Sequence, residues 1–440
     1  MRRGALAGTV AVLALGLAGG EADAATIKVK APGDEYGVAG NCTLREAVEA
    51  ANTNADFGGC VRRNGGNADV VVLEGGTVYS LGIGGADDGN QIGDLDIGSR
   101  IAFEVRGEGR AGIDANDLDR AIDVLPAGNL TASRLHITDG RPITNGFSYG
   151  GGAILNRGRL SLSRSVLDLN TANDGQAVNG GAIHHTGIRS NLTRVEITGN
   201  TADNVGGGIL HSGGSLSVQK SVIDGNTSGG SGGGIAVSGS DEGVRVVIKD
   251  TTISGNTSLA DFPNAGGGGI ALSFFGDGVL KATNVTVSGN TAYAAGGGIH
   301  SYNGTLQVNA ATITSNTADF NGDSDGHGGG ISGSGVQVRN SIIAQNEDAA
   351  AMDPVQQCWL ATAAAAHNLV ETDGGCAEGG SNEAVANPLL GPLADNGGPA
   401  PTHKLLKESA AIGLAGNDAP GRDQRGVKRD SDPDSGAFER

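Results

Sequence analysis

The chain has 440 residues, 79 of them glycine and only fourteen aromatic, and a formal net charge of −18. So much glycine with so few rings excludes an ordinary globular core. The charge argues against nucleic acid and anionic membrane surfaces as partners, and it disfavours bare polyanions such as uronate polymers unless divalent cations bridge the two.

Residues 1–24 read as a Sec-type secretory signal. Arg2 and Arg3 form the basic start, Val10 to Leu17 the apolar core, and Ala22-Asp23-Ala24 a small-residue site with cleavage expected after Ala24. That apolar stretch is too short to span a bilayer, and no later run qualifies, so a secreted product with no membrane insertion is expected. Residues 25–68 read as an N-terminal cap. Thr43-Leu44-Arg45-Glu46 is a capping box, and Leu44, Val48 and Ala51 give one apolar side to a short helix reaching about Asn52. Such a helix would cover the open edge of a first coil. The four cysteines form two local sets, Cys42 with Cys60 and Cys358 with Cys376, each separated by 18 positions. Export makes disulfides plausible, and of the three connectivities the local one is favoured, a staple at each end.

Residues 69–346 read as coils of an all-β parallel β-helix. The early part, 69–140, looks irregular. Beyond it a two-beat motif recurs: Gly-Gly-Gly-Ile or Gly-Gly-Ala-Ile with the Ile at 154, 183, 209, 235, 270, 299 and 331, and Asn-Thr with the Asn at 170, 200, 226, 256, 290 and 316. A weaker copy ends at Asn346. Self-similarity at this period means stacked repeats. The segments between the beats alternate apolar and polar residues, which is strand periodicity. The glycines suit a turn into a strand with close packing between coils. The Asn column is read as a ladder of amides, each bonded to the next coil. Asn226-Thr-Ser and Asn256-Thr-Ser are also glycosylation sequons, and their place in the ladder argues against that use. Residues 347–440 break the pattern, are rich in Ala, Pro, Gly and Asp, and read as a C-terminal cap.

Several segments resemble one family. Asn41-Cys42-Thr43-Leu44-Arg45-Glu46-Ala47 is similar to the opening motif of bacterial CSLREA-domain proteins, with Thr for the usual Ser. Gly93-Asp94-Leu95-Asp96-Ile97 and the stretch from Ile113-Asp114-Ala115 to Leu118-Asp119-Arg120 resemble segments that follow it there. The tail, Pro388 to Gly398 and then Asp423-Gln424-Arg425-Gly426 to Gly436-Ala437-Phe438-Glu439, resembles their choice-of-anchor region. The resemblance implies an exported right-handed parallel β-helix and no particular reaction. Many members carry a sorting tail after Gly-Ala-Phe-Glu; the stop at Arg440 favours release over surface attachment.

Loop length varies between Asn-Thr and the glycines, and insertions in a solenoid collect on one edge, often the binding edge. Phe147, Tyr149, Phe262, Tyr293 and Phe320 lie in this loop column, with Phe274, Phe275 and Tyr302 just past the Gly-Gly-Gly-Ile strands. Tyr149, Phe262, Tyr293, Tyr302 and Phe320 are the candidate sugar-stacking residues; the alternative is that they pack the loops onto the coil. Asp174, Asp203, Asp261, Asp319, Asp323 and Asp325 share the edge. Asn321-Gly322-Asp323-Ser324-Asp325-Gly326 resembles the first half of a calcium loop, with Ser332 where the closing Glu belongs. Asn321, Asp323 and Asp325 are therefore candidate Ca²⁺ ligands, and Asp87, Asp88, Asp94 and Asp96 form a second acidic cluster. No cofactor is required by this reading.

Catalysis has weaker support. With the repeat Ile pointing inward, His184 and His300 should face solvent, about 19 Å apart. His185 and His211 should share an inward column, about 5 Å apart. A polysaccharide lyase needs a cation and a base at a uronate, which Arg157, His184, Arg189 and His211 could supply. A hydrolase needs two carboxylates; Asp168 and Asp224 share a column about 10 Å apart. The leading reading is a secreted, non-catalytic, monomeric binding protein, adhesin-like or matrix-interacting, that engages a polysaccharide or cell-surface glycan along the loop edge. The alternatives are a polysaccharide lyase or glycoside hydrolase on that edge, and a purely structural spacer.

Overall fold

The computed structural model describes residues 24–440 apart from 64, 67, 144–149, 174–177, 240–243, 263–264, 275–277, 323–325, 350–356, 361–362, 372–375 and 377–380. The repeat Ile residues set the frame. Ile154, Ile183, Ile209, Ile235, Ile270, Ile299 and Ile331 pair in register, coil on coil, in parallel strands. All seven are fully buried, and burying each such side chain contributes roughly 1.5–3 kcal/mol. Parallel stacking about 4.8 Å apart then carries every other position of the repeat into a column.

Among the described residues the coils of this β-helix visit up to three sheets, the earliest coils having no strand in the third. The first holds 22 strands, because in most coils it is crossed by two strand segments in succession; the second holds ten and the third seven. In one representative coil Arg189–Thr193 and Glu196–Thr198 lie in the first sheet, Thr201–Ala202 in the third, and Ile209–His211 in the second. The break between the two first-sheet segments is a residue in the left-handed region, Arg194 here (φ 56°) and Arg164 and Lys220 in the adjoining coils. That residue restores the alternation, so Leu192 and Ile197 both point into the core.

The glycine triplet has two separate causes. Gly206 takes φ 74°, a conformation that disfavours any side chain. Gly207 is in ordinary backbone space, but a Cβ there would sit 2.4 Å from the carbonyl oxygen of Gly233 in the next coil. The Asn column is the ladder expected of it. Asn170, Asn200, Asn226, Asn256, Asn290, Asn316 and Asn346 each donate through Nδ2 to the side-chain oxygen of the next rung at 2.7–3.0 Å, the last one to Gln357. Each Nδ2 also reaches a carbonyl of the preceding coil, such as Ile197 for Asn226. These buried amides leave no room for a glycan on Asn226 or Asn256, both fully buried.

The ends are closed as the sequence suggests. The helix Leu44–Thr53 starts at a reciprocal capping box between Thr43 and Glu46. Arg45, fully buried, binds Asp34 at 2.7 Å and the carbonyls of Gly93 and Asp94, docking the helix on the first strand of the second sheet. Disulfides join Cys42 to Cys60 and Cys358 to Cys376. Stacking runs past residue 346: Cys358–Leu360 pairs with Ile331–Gly333, and Leu369–Glu371 with Glu383–Val385. The early segments at 69–140, expected to be irregular, also pair in parallel register, Asp69–Glu74 on Ala25–Lys28 and on Ile101–Arg106. The final segment folds back across the outer face of the first sheet, held by Gln424 on Thr252 and Thr286. No helix among the described residues is long and apolar enough to cross a membrane.

Candidate functional site

The loops leaving the third sheet sit on a small apolar layer of their own. Ala260, Ala265 and Ala294 form a buried cluster under one stretch of it. Because Ala and Gly make this layer thin, the larger rings have no depth to enter and remain outside. Phe262 is 55% exposed and Phe320 59%. Tyr293 and Phe320, from adjacent coils, stack with centroids 6.1 Å apart. Beside them Asn321 donates to Asp261 at 2.8 Å, tying loops two coils apart. At the end of this edge Trp359 is 53% exposed, with the His327 ring 4.5 Å from it. His327 in turn lies 3.7 Å from Asp348. The result is an open row of rings on successive coils, flanked by amide and carboxylate groups, the surface chemistry that holds a sugar by its apolar face and its hydroxyls.

Tyr302 belongs to the opposite end of the second-sheet strands. Ser273 pairs with Asn303 after a register shift, so Tyr302 is the extra residue of a bulge and is 42% exposed. It does not join the row. Tyr149, Asp323 and Asp325 lie outside the described residues, as do Phe147, Phe275 and Asp174. Of the calcium-loop candidates only Asn321 is described, and its amide is engaged by Asp261.

The second acidic cluster does converge, around a different set. One carboxylate oxygen from each of Asp88, Asp96 and Asp123 lies within 4.8 Å of the others. Asp96 is 1% exposed; Asn90 N–H donates to its Oδ2 at 2.7 Å, and its Oδ1 has no hydrogen-bond partner among the described residues. Burial, with Asp123, Asp87 and Asp88 nearby, pushes the Asp96 carboxyl up to about 7. Arg157 spans the cluster, 2.8 Å from Asp88 and 2.7 Å from Asp123. Asp94 instead pairs with Arg120 at 2.7 Å. Asp88, Asp96 and Asp123 offer the hard oxygen set that Ca²⁺ takes.

The catalytic candidates do not form a working group. His185 and His211 share the expected inward column, rings stacked with centroids 5.0 Å apart, and neither is exposed. Burial lowers His185 to about 4 and His211 to about 3. His184 and His300 do not face solvent: they are 5% and 6% exposed. For His184 the reason is visible. The first glycine of the preceding coil's triplet covers it, Gly150 N–H donating to Nδ1, and burial lowers it to about 3. Arg157 is held by carboxylates, and Arg189 is exposed on the first sheet beside Arg159. Asp168 and Asp224 share a column through Thr198, but His136 binds Asp168 at 2.7 Å and Ser254 donates to Asp224 at 2.5 Å.

Trp359 and Asp123 are among the participants that were not singled out from the sequence. Trp359 follows Cys358, which takes the repeat-Ile position of a further coil; the missing glycine triplet hid that coil. Asp123 stands in the register of Asp96, a pairing that only the alignment of early coils discloses. No family model and no curated protein matches the chain.

Proposed function

We propose that this is an exported, non-catalytic glycan-binding β-helix, which engages polysaccharide along its loop edge. The observation that carries the reading is the row of exposed Phe262, Phe320 and Trp359 with half-buried Tyr293, beside Asp261, Asn321 and His327. Stacking on such rings contributes affinity without chemistry. Both disulfides fit an oxidising, extracellular setting, and the resemblance to CSLREA-domain proteins points to export as well. The lyase and hydrolase candidates give less support: burial keeps His184, His185 and His211 neutral, and Asp168 and Asp224 are engaged by His136 and Ser254. Incubation with a panel of neutral and acidic polysaccharides tests this. Retention of the protein with no rise in unsaturated-uronate absorbance or reducing ends is expected. Product formation abolished by Arg189→Ala or His211→Ala would refute the non-catalytic reading.

A further inference from the structure

The chain is acidic overall, yet its charge is segregated. Between residues 158 and 338 every Lys and Arg belongs to the first sheet: Arg159, Arg164, Arg189, Arg194, Lys220, Arg245, Lys249 and Lys281. Lys220 is half-buried and the others are exposed. The acids Asp203, Asp261 and Asp319 lie towards the loop edge instead. Among the described residues of the first sheet only Asp168, Glu196, Asp224 and Asp250 oppose the eight bases, and Asp250 is buried against Asn284.

Arg164, Arg194 and Lys220 occupy the left-handed kink of three successive coils, each N–H donating to the carbonyl of the following coil. They are thus stacked about 4.8 Å apart, like charges in one file. None of the three side chains has a hydrogen bond or ion pair among the described residues. The equivalent Arg134, one coil earlier, is satisfied differently, by the carbonyls of Gly107 and Gly109. The returning C-terminal segment makes the opposite wall. It is pinned by Pro401 and Gln424 on Thr252, by Arg422 O on Asn284, and by His403 on Ser288. Between wall and sheet lies a cavity of about 810 Å³ reached by Arg194, Lys220 and Lys249. A hollow of about 260 Å³, lined by Arg110 and Arg164, continues it and shares Arg194, Lys220 and Pro399.

We propose that this cleft binds an acidic polysaccharide, a polymer with a carboxylate on each sugar, laid along the solenoid axis across Arg164, Arg194, Lys220 and Lys249. The net charge of −18 argues against such a ligand only if the charge is taken as uniform. The file of Arg164, Arg194 and Lys220, with Lys249, outnumbers the two carboxylates that also line the cavity, Asp250 and Asp423, and makes the cleft locally attractive, while the acidic remainder confines the polymer to it. One charge per sugar ring suits one cation per coil. Duplex DNA, with a charge about every 1.7 Å, is denser than this file, and among the described residues no aromatic side chain lines the cleft to stack a base. The inference does not rest on the loop-edge assignment.

Binding of the full chain to immobilised polygalacturonate tests it, with neutral dextran, single-stranded DNA and vesicles rich in phosphatidylserine as other arms. Wild type is expected to bind polygalacturonate at low salt and release as salt rises. Arg164→Gln/Arg194→Gln/Lys220→Gln is expected to weaken binding at least tenfold with an unchanged melting curve, since none of these side chains bonds to the fold. Phe320→Ala/Trp359→Ala should retain polygalacturonate, which separates this cleft from the loop edge. No binding by wild type, undiminished binding by the triple variant, or tighter binding of DNA or vesicles than of polygalacturonate would overturn the proposal.

Discussion

Asn200 donates through Nδ2 to Oδ1 of Asn226 at 2.9 Å, and its own N–H reaches the same oxygen at 3.0 Å. One amide oxygen therefore fixes both the side chain and the backbone of the coil before it, and the pattern repeats from Asn170 to Asn346. A mid-ladder change should therefore be costly. Asn226→Ala strands the Ile197 carbonyl and the Asn200 amide in a buried column. At about 1–3 kcal/mol for each buried group left unpaired, a loss of at least about 2 kcal/mol is expected in denaturant unfolding. A loss under 1 kcal/mol would mean the ladder merely lines the turn. For the same reason, expression through a glycosylating secretory pathway should add no mass at Asn226 or Asn256, read by intact-protein mass spectrometry.

The buried histidines give acid sensitivity of defined sign. His184, His185 and His211 have folded values of about 3, 4 and 3 against an unfolded value near 6.5. Between these values the unfolded chain takes up protons that the fold refuses. Stability should be full above about pH 6.5 and decline as pH falls towards 4. His211→Gln should make that decline shallower, and an unchanged slope would contradict the burial account.

Asp96 acts in the opposite direction. Its folded value, about 7, lies above the unfolded value near 3.9. The fold holds a proton there that the unfolded chain has released, so this contribution is lost as pH rises from about 4 to 7. At pH 8 without calcium, Asp96→Asn should melt higher than wild type. Added Ca²⁺ should raise the wild-type midpoint progressively with concentration and leave Asp96→Asn unmoved. Equal calcium responses in the two proteins would remove Asp88, Asp96 and Asp123 as a cation site.

The Cys42–Cys60 staple closes a loop of 18 positions around the capping helix. A loop of this length contributes on the order of 3 kcal/mol through the unfolded state. The double variant Cys42→Ala/Cys60→Ala should lose about that much, and hydrogen exchange should rise first in Ala25–Lys28, the strand it secures beside Asp69–Glu74.

The fold was legible because its two beats, Gly-Gly-Gly-Ile and Asn-Thr, answer to backbone requirements that tolerate no substitute: Gly206 for its φ, Gly207 for the neighbouring carbonyl, Asn226 for four partners. The site was less legible. Alternation says which way His184 leaves its strand, but the cover over it comes from backbone thirty-odd residues earlier, at Gly150. Asp123 joins Asp96 through a register that no motif marks, and Trp359 rides on a coil without its glycines. The cationic file at Arg164, Arg194 and Lys220 was hidden by the net charge, which sums over faces that the fold separates.

The central functional claim is that the ring row holds polysaccharide and leaves it intact. Affinity electrophoresis of wild type and Phe320→Ala/Trp359→Ala through gels containing each neutral polysaccharide of a panel, with chain length of the recovered polymer measured afterwards, tests it most directly. The account predicts at least one polymer that retards wild type, runs free of the double variant, and is recovered at full length. Equal retardation of both proteins, or shortened polymer, would contradict it.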